Sequence, residues 1–186
     1  GPYGLRGDLL TFSGTSTKIL TKSVPDYETA FAETVVRSEV GSDDERPALA
    51  TILAIGKNLT SNSGFFRSGA SLAVIFLTDE DEASSGGSSA TKPQEVVSAF
   101  KSVFGNSKSL TVYGILVQPG DTDCYDSAAV DGSKYGNVHS QLVRLTGGVS
   151  GSICDSDYGP ALANIGRHVR SGIRQINLSY TPKNSE

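Results

Sequence analysis

Residues 71–82 read Ser71-Leu72-Ala73-Val74-Ile75-Phe76-Leu77-Thr78-Asp79-Glu80-Asp81-Glu82. Six consecutive apolar side chains end at a threonine, and four carboxylates follow. A short apolar run without polar alternation predicts a strand covered on both faces, as in a parallel sheet wrapped by helices. Gly69 precedes the run, and the acidic cluster marks where the chain leaves the core.

The same grammar extends in both directions. Downstream, Pro93 opens a helix whose Val96, Val97, Phe100, Val103 and Phe104 share a face, and Gly105 ends it. Residues 110–117, LTVYGILV, form a second buried strand. A long Asp/Gly loop follows, then a helix over 136–146 carrying Val138, Leu142, Val143 and Leu145, closed by Gly147-Gly148. VSGSI (149–153) is a short strand, and Pro160 opens a last helix with Leu162, Ile165, Val169 and Ile173 at helical spacing. In the tail, Ile176, Leu178 and Tyr180 alternate with polar residues, as in a half-buried edge strand.

Upstream, Pro47 opens a helix with Leu49, Ile52, Leu53 and Gly56 on one face, and an earlier helix from Pro25 carries Tyr27, Phe31 and Val35. Residues 3–21 are rich in Gly, Ser and Thr and read as an irregular connection with a short strand or two. Strands alternating with helices imply βαβ units: an α/β fold, Rossmann-like, with a mostly parallel sheet and helices on both faces. One domain spans 1–186. Gly1-Pro2 reads as the scar of a tag-removing protease and is set aside.

Composition narrows the function classes. The chain has 186 residues, 37% apolar and 19% charged, with 21 glycines and a net charge of −4. A basic footprint for nucleic acid or an anionic membrane is missing. No apolar run approaches the roughly 18 residues of a membrane span. Cys124 and Cys154 sit in polar, Asp-rich surroundings, DTDCYDS and GSICDSD. That setting favours a disulfide formed outside the cytoplasm; two free thiols in a cytosolic protein are the alternative.

Ligands of open parallel sheets bind beyond the carboxyl ends of the strands. Asp79, directly after a buried strand, needs pairing, hydrogen bonding or a metal there and is the leading site candidate. Ser42 and Asp43, in GSDDER just before the second helix, are the next candidates. Helix capping explains them without a metal; as ligands they would suit a hard cation, Mg²⁺ above all, with Ca²⁺ or Mn²⁺ as substitutes.

Weaker motifs each have a plainer reading. Arg6-Gly7-Asp8 is an attachment tripeptide only when displayed on a mobile loop. His139 and His168 lack Cys or His partners at zinc spacing and read as surface or partly buried structural residues. Asp121, Asp123 and Asp126 resemble an incomplete calcium loop. Neither a Gly-x-Ser-x-Gly elbow nor a phosphate-binding loop occurs, so nothing supplies an activated nucleophile, and a non-enzyme is expected.

The order LAVIFLTDEDE, helix, second strand, Cys-containing loop and TGGVSGSICDSDYGPALANIG resembles von Willebrand factor A domains of bacterial secreted proteins. The resemblance covers about residues 8–182. It implies a Mg²⁺-dependent adhesion or protein-ligand module outside the cytoplasm, and it supports pairing of Cys124 with Cys154. The family's metal site uses an Asp-x-Ser-x-Ser loop, a hydroxyl residue in a second loop and an Asp after a later strand. Asp79 matches the third piece; Ser42 or Asp43 stands at the second; the first is absent from the chain. The alternative is therefore a structural or assembly domain with an incomplete metal site. The central strand that carries the first piece is missing too, so the slot should be filled by an N-terminal segment, a second chain, or residues 8–22.

Overall fold

Leu72–Leu77 form strand β1, which runs parallel to β2 (Leu110–Leu116), with Val74 opposite Val112 and Ile75 opposite Tyr113. Strand β3 (Ser150–Ser152) pairs in parallel with the carboxyl half of β2, giving the order β1-β2-β3. This computed structural model describes residues 6–36, 44–128 and 132–174. The helices are α1 (Tyr27–Val35), α2 (Pro47–Gly56), α3 (Pro93–Phe104), α4 (Thr122–Ala128), α5 (Asn137–Leu145) and α6 (Gly159–Arg174). The protein is thus mixed α/β with a small, open, all-parallel sheet.

Side-chain alternation along the strands builds two cores. Val74, Phe76, Val112 and Leu116 point to one face, where Ala48 of α2, Val96 of α3 and Leu142 and Val143 of α5 cover them. Tyr113 and Ile115 point to the other face, against Ile165, Ala161 and Val169 of α6. Pro93 and Glu95 start α3, where the Glu95 carboxylate accepts the Lys92 N–H at 2.6 Å, and Gly105, at φ 58°, ends it.

β2 is buried on both faces, as its sequence predicts, but β1 is not. Ala73, Ile75 and Leu77 are exposed, Ile75 at 49% and Leu77 at 62%, because α6 reaches over β2 and β3 and no described element continues over β1. Alternation was invisible in the sequence because both faces of this strand are apolar. Residues 8–22 do not occupy a place in the sheet. They lie in turns and loops tied down by Asn62, whose Nδ2 donates to the Gly7 carbonyl at 2.7 Å and whose Oδ1 accepts the Leu9 N–H at 3.1 Å.

Three further expectations need correction. The Tyr27/Phe31/Val35 face of α1 is not core: Phe31 and Val35 are each 54% exposed, and Ala30 is the buried residue. In α2 the buried positions are Ala48, Thr51 and Ile55, one residue off the predicted stripe. The loop after β2 contains the short helix α4, in which the Asp121 carboxylate accepts the Cys124 N–H at 3.0 Å. The tail with Ile176, Leu178 and Tyr180 lies outside the described residues.

Candidate functional site

The carboxyl end of β1 leads into Thr78-Asp79-Glu80-Asp81-Glu82, and each acidic residue meets a different environment. Glu82 is fully buried, and its two carboxylate oxygens accept the Ala48 N–H at 2.9 Å and the Leu49 N–H at 3.0 Å. It thus satisfies the first turn of α2 from outside the helix, where capping by Arg46 is absent. Asp81, 1% exposed, does the same for α5: Oδ1 and Oδ2 accept the Val138 N–H at 3.0 and 3.1 Å. The positive end of each helix dipole offsets the cost of burying these charges. Burial nevertheless holds the Glu82 pKa above its ordinary value, against the opposing pull of its backbone donors.

Asp79 stands where the sequence places it, after the strand, half-buried. Its Oδ2 accepts the Ser133 hydroxyl at 3.1 Å, and its carbonyl accepts the Lys134 N–H at 2.9 Å. Ser42 and Asp43 lie outside the described residues, but the end of their loop reaches this place. The Thr78 hydroxyl donates to the Glu45 carboxylate, and the Glu45 carbonyl accepts the Ala83 N–H at 2.8 Å. Glu45 is the residue that sequence reasoning missed. Burial, then the negative charges of Asp79 and Glu80, push its pKa up. Glu80 Oε2 is buried without a hydrogen-bond partner. Glu45, Asp79 and Glu80 therefore form an acidic mouth beyond the end of β1.

Among the described residues no group of three or more His, Cys, Asp or Glu converges closely enough to hold a metal ion. A cation here would need further oxygens, and Asp81 and Glu82 are already committed to helix termini.

His139 is fully buried rather than at or near the surface. Its ring lies edge-on to Phe76, with centroids 5.1 Å apart, and Nε2 is 3.9 Å from Asp81 Oδ1. Burial pulls its pKa down. His168 is partly buried, with Nδ1 3.1 Å from the Tyr113 hydroxyl. Arg6-Gly7-Asp8 is not displayed on a free loop: Asp8 pairs with Lys57 at 2.7 Å and accepts from Ser61, while Gly7 packs against Leu53 and Ala54. Asp121 caps α4, which accounts for it without calcium.

Cys124 and Cys154 are joined by a disulfide, Cα atoms 5.5 Å apart, linking α4 to the segment after β3. No described helix is long and apolar enough to cross a membrane. The chain matches no family model, no curated protein and no solved structure.

Proposed function

We propose that this chain is a non-enzymatic protein-binding domain of the von Willebrand factor A kind, working outside the cytoplasm. The observation that carries this reading is the acidic mouth of Glu45, Asp79 and Glu80 at the carboxyl end of a parallel strand, where open sheets bind ligands. The disulfide supports the compartment. A protein ligand presenting a basic group, or a Mg²⁺ ion bridging to a ligand carboxylate, would offset the negative charges of Asp79 and Glu80, which add to burial in raising the Glu45 pKa. In the Mg²⁺ case Asp79 anchors the ion, and Ser42 and Asp43, in the stretch that leads to Glu45, are candidates for further oxygens.

A second reading is an assembly domain without a working metal site. The commitment of Asp81 and Glu82 to helix termini favours it. Mg²⁺ calorimetry on the wild type and Asp79→Ala separates the two. Binding that disappears in Asp79→Ala supports the metal-dependent form. A wild type silent to Mg²⁺, Mn²⁺ and Ca²⁺ leaves the assembly domain.

A further inference from the structure

An open groove of about 690 Å³ lies between the 9–22 segment, α1 and Phe65. Phe65 belongs to the stretch that enters the amino end of β1, whereas Glu45, Asp79 and Glu80 gather at its carboxyl end. Ligand pockets measure roughly 300–1,000 Å³ and have mostly apolar walls. Here Leu10, Phe12, Leu20, Phe31, Val35 and Phe65 supply the walls. Four of them are left open to solvent: Phe31 and Val35 at 54% each, Leu10 and Phe65 at 37% each. Large apolar side chains gathered in one concavity, rather than scattered singly, mark a place where something binds.

The polar groups of the lining select the kind of ligand. Its hydroxyls are already used. The Tyr27 hydroxyl donates to Glu28 at 3.0 Å, and the Thr34 hydroxyl donates to the Ala30 carbonyl at 2.6 Å and accepts the Ser13 N–H at 2.8 Å. The Thr21 hydroxyl pairs with that of Ser23. What remains is Lys18 and Lys22, both exposed, which flank Ile19, Leu20 and Thr21 in sequence. Among the described residues neither forms an ion pair. Asp8 feels the charge of Lys18, but its own bonds go to Lys57 and Ser61. No Asp or Glu lines the groove, in a chain whose net charge is −4. The groove thus carries two positive charges against the sign of the whole molecule.

We infer that this groove binds a single apolar chain ending in an anion, a free long-chain carboxylate. The chain displaces water from Phe31, Val35 and Phe65, and each methylene it buries adds affinity. The carboxylate meets the ammonium groups of Lys18 and Lys22, which stay in solvent on their apolar stems. Opposite charge in a groove otherwise without free polar side chains fixes which end of the ligand lies where. An extended peptide fits less well, because its backbone donors and acceptors would find no free hydroxyl in the lining. The site stands apart from the acidic mouth and requires no cation there.

Calorimetry on the full chain with sodium dodecanoate below its micelle concentration tests the inference, with dodecyltrimethylammonium as the cationic counterpart. The wild type should bind dodecanoate, and the cationic counterpart about tenfold more weakly. Lys18→Gln combined with Lys22→Gln should weaken dodecanoate binding by about tenfold and erase the preference for the anion. Phe31→Asp, at a residue more than half exposed, should abolish binding. Amide chemical shifts of the wild type should move within 9–35 and around Phe65. Failure to bind monomeric dodecanoate overturns the proposal. So does equal binding of the two head groups, which is apolar adhesion alone, or shifts confined to the exposed Ile75 and Leu77 face. Adsorption to phosphatidylglycerol vesicles without binding of monomeric dodecanoate also overturns it and assigns the groove to a membrane surface. If Phe31→Asp unfolds, the wild-type shifts and the lysine variants decide.

Discussion

Glu82 and Ala48 are 34 residues apart in sequence, yet the Glu82 carboxylate accepts the Ala48 backbone N–H at 2.9 Å inside the core. A buried carboxylate is costly unless its hydrogen bonds are made. Here it spans two exposed donors of a helix start, and the helix dipole adds to the attraction. Glu82→Ala leaves both donors unsatisfied and is expected to destabilise the fold by about 1–3 kcal/mol. Glu82→Gln, which keeps one acceptor, should cost less. Urea midpoints at neutral pH measure both, and equal midpoints for wild type and Glu82→Ala would refute the capping role.

The pair of Asp81 and His139 makes stability depend on pH in a definite direction. Burial lowers the folded-state pKa of His139 below its ordinary 6.5, with Asp81 opposing. A base with a lowered folded pKa binds fewer protons folded than unfolded. Its contribution is present above the unfolded value and is lost as pH falls from there through the folded pKa. Glu82 and Glu45, whose pKa values burial raises, act in the other direction. Their contribution is full below the ordinary 4.5 and is lost as pH rises through the folded values. His139→Leu removes the first slope alone. Between about pH 7 and 5 the wild type should lose more stability than His139→Leu, as denaturation midpoints read at each pH. Parallel curves would remove His139 as the cause.

The disulfide closes a loop between positions 30 apart. Restricting the unfolded chain over that length contributes about 3–4 kcal/mol in the loop-entropy picture. The double substitution Cys124→Ser, Cys154→Ser should lower the urea midpoint accordingly. Alkylation of the native-source protein without reductant should add no mass. Two alkylated thiols would undo both the bridge and the extracytoplasmic assignment.

Asp79 behaves differently from its neighbours. It is half-buried and bonds one side chain, Ser133. Asp79→Ala should therefore change stability by less than Glu82→Ala, within about 1 kcal/mol. A large loss would make Asp79 a structural residue and weaken the case for a binding mouth. The comparison uses thermal or urea unfolding without added divalent ions.

Legibility followed the strength of each local signal. Pro47 and Pro93 fixed two helix starts, and the apolar runs at 72–77 and 110–116 located both long strands, since such signals need no tertiary context. The exposure of Ile75 and Leu77 was hidden, because a strand bare on one face and a strand covered on both can carry the same apolar residues. Asp79 was readable from its position after β1. The roles of Asp81 and Glu82 were not, since their partners Val138 and Ala48 come from distant segments. The burial of His139 is not legible, because a lone histidine on a helix gives no sign that Phe76 and Asp81 will enclose it.

The Thr146-Gly147-Gly148 motif separates two reasons for a glycine. Gly147 has φ 71°, a left-handed position ending α5, with open space around a would-be Cβ. At Gly148 a Cβ would overlap the Val112 carbonyl oxygen and lie 2.9 Å from its carbon. Thr146 locks the same junction: its hydroxyl accepts the Val112 N–H and donates to the Leu142 carbonyl, each at 2.9 Å. Gly147→Ala meets only the left-handed backbone cost, about 1–2 kcal/mol. Gly148→Ala must push α5 away from β2 and should cost more, about 3 kcal/mol or above by overpacking. Thr146→Val leaves the Val112 N–H without its acceptor and should cost about 1–3 kcal/mol. Unfolding midpoints of the three variants order them, with Gly148→Ala lowest. If Gly147→Ala proved the more damaging of the two glycine changes, backbone conformation rather than the close approach to Val112 would govern this junction.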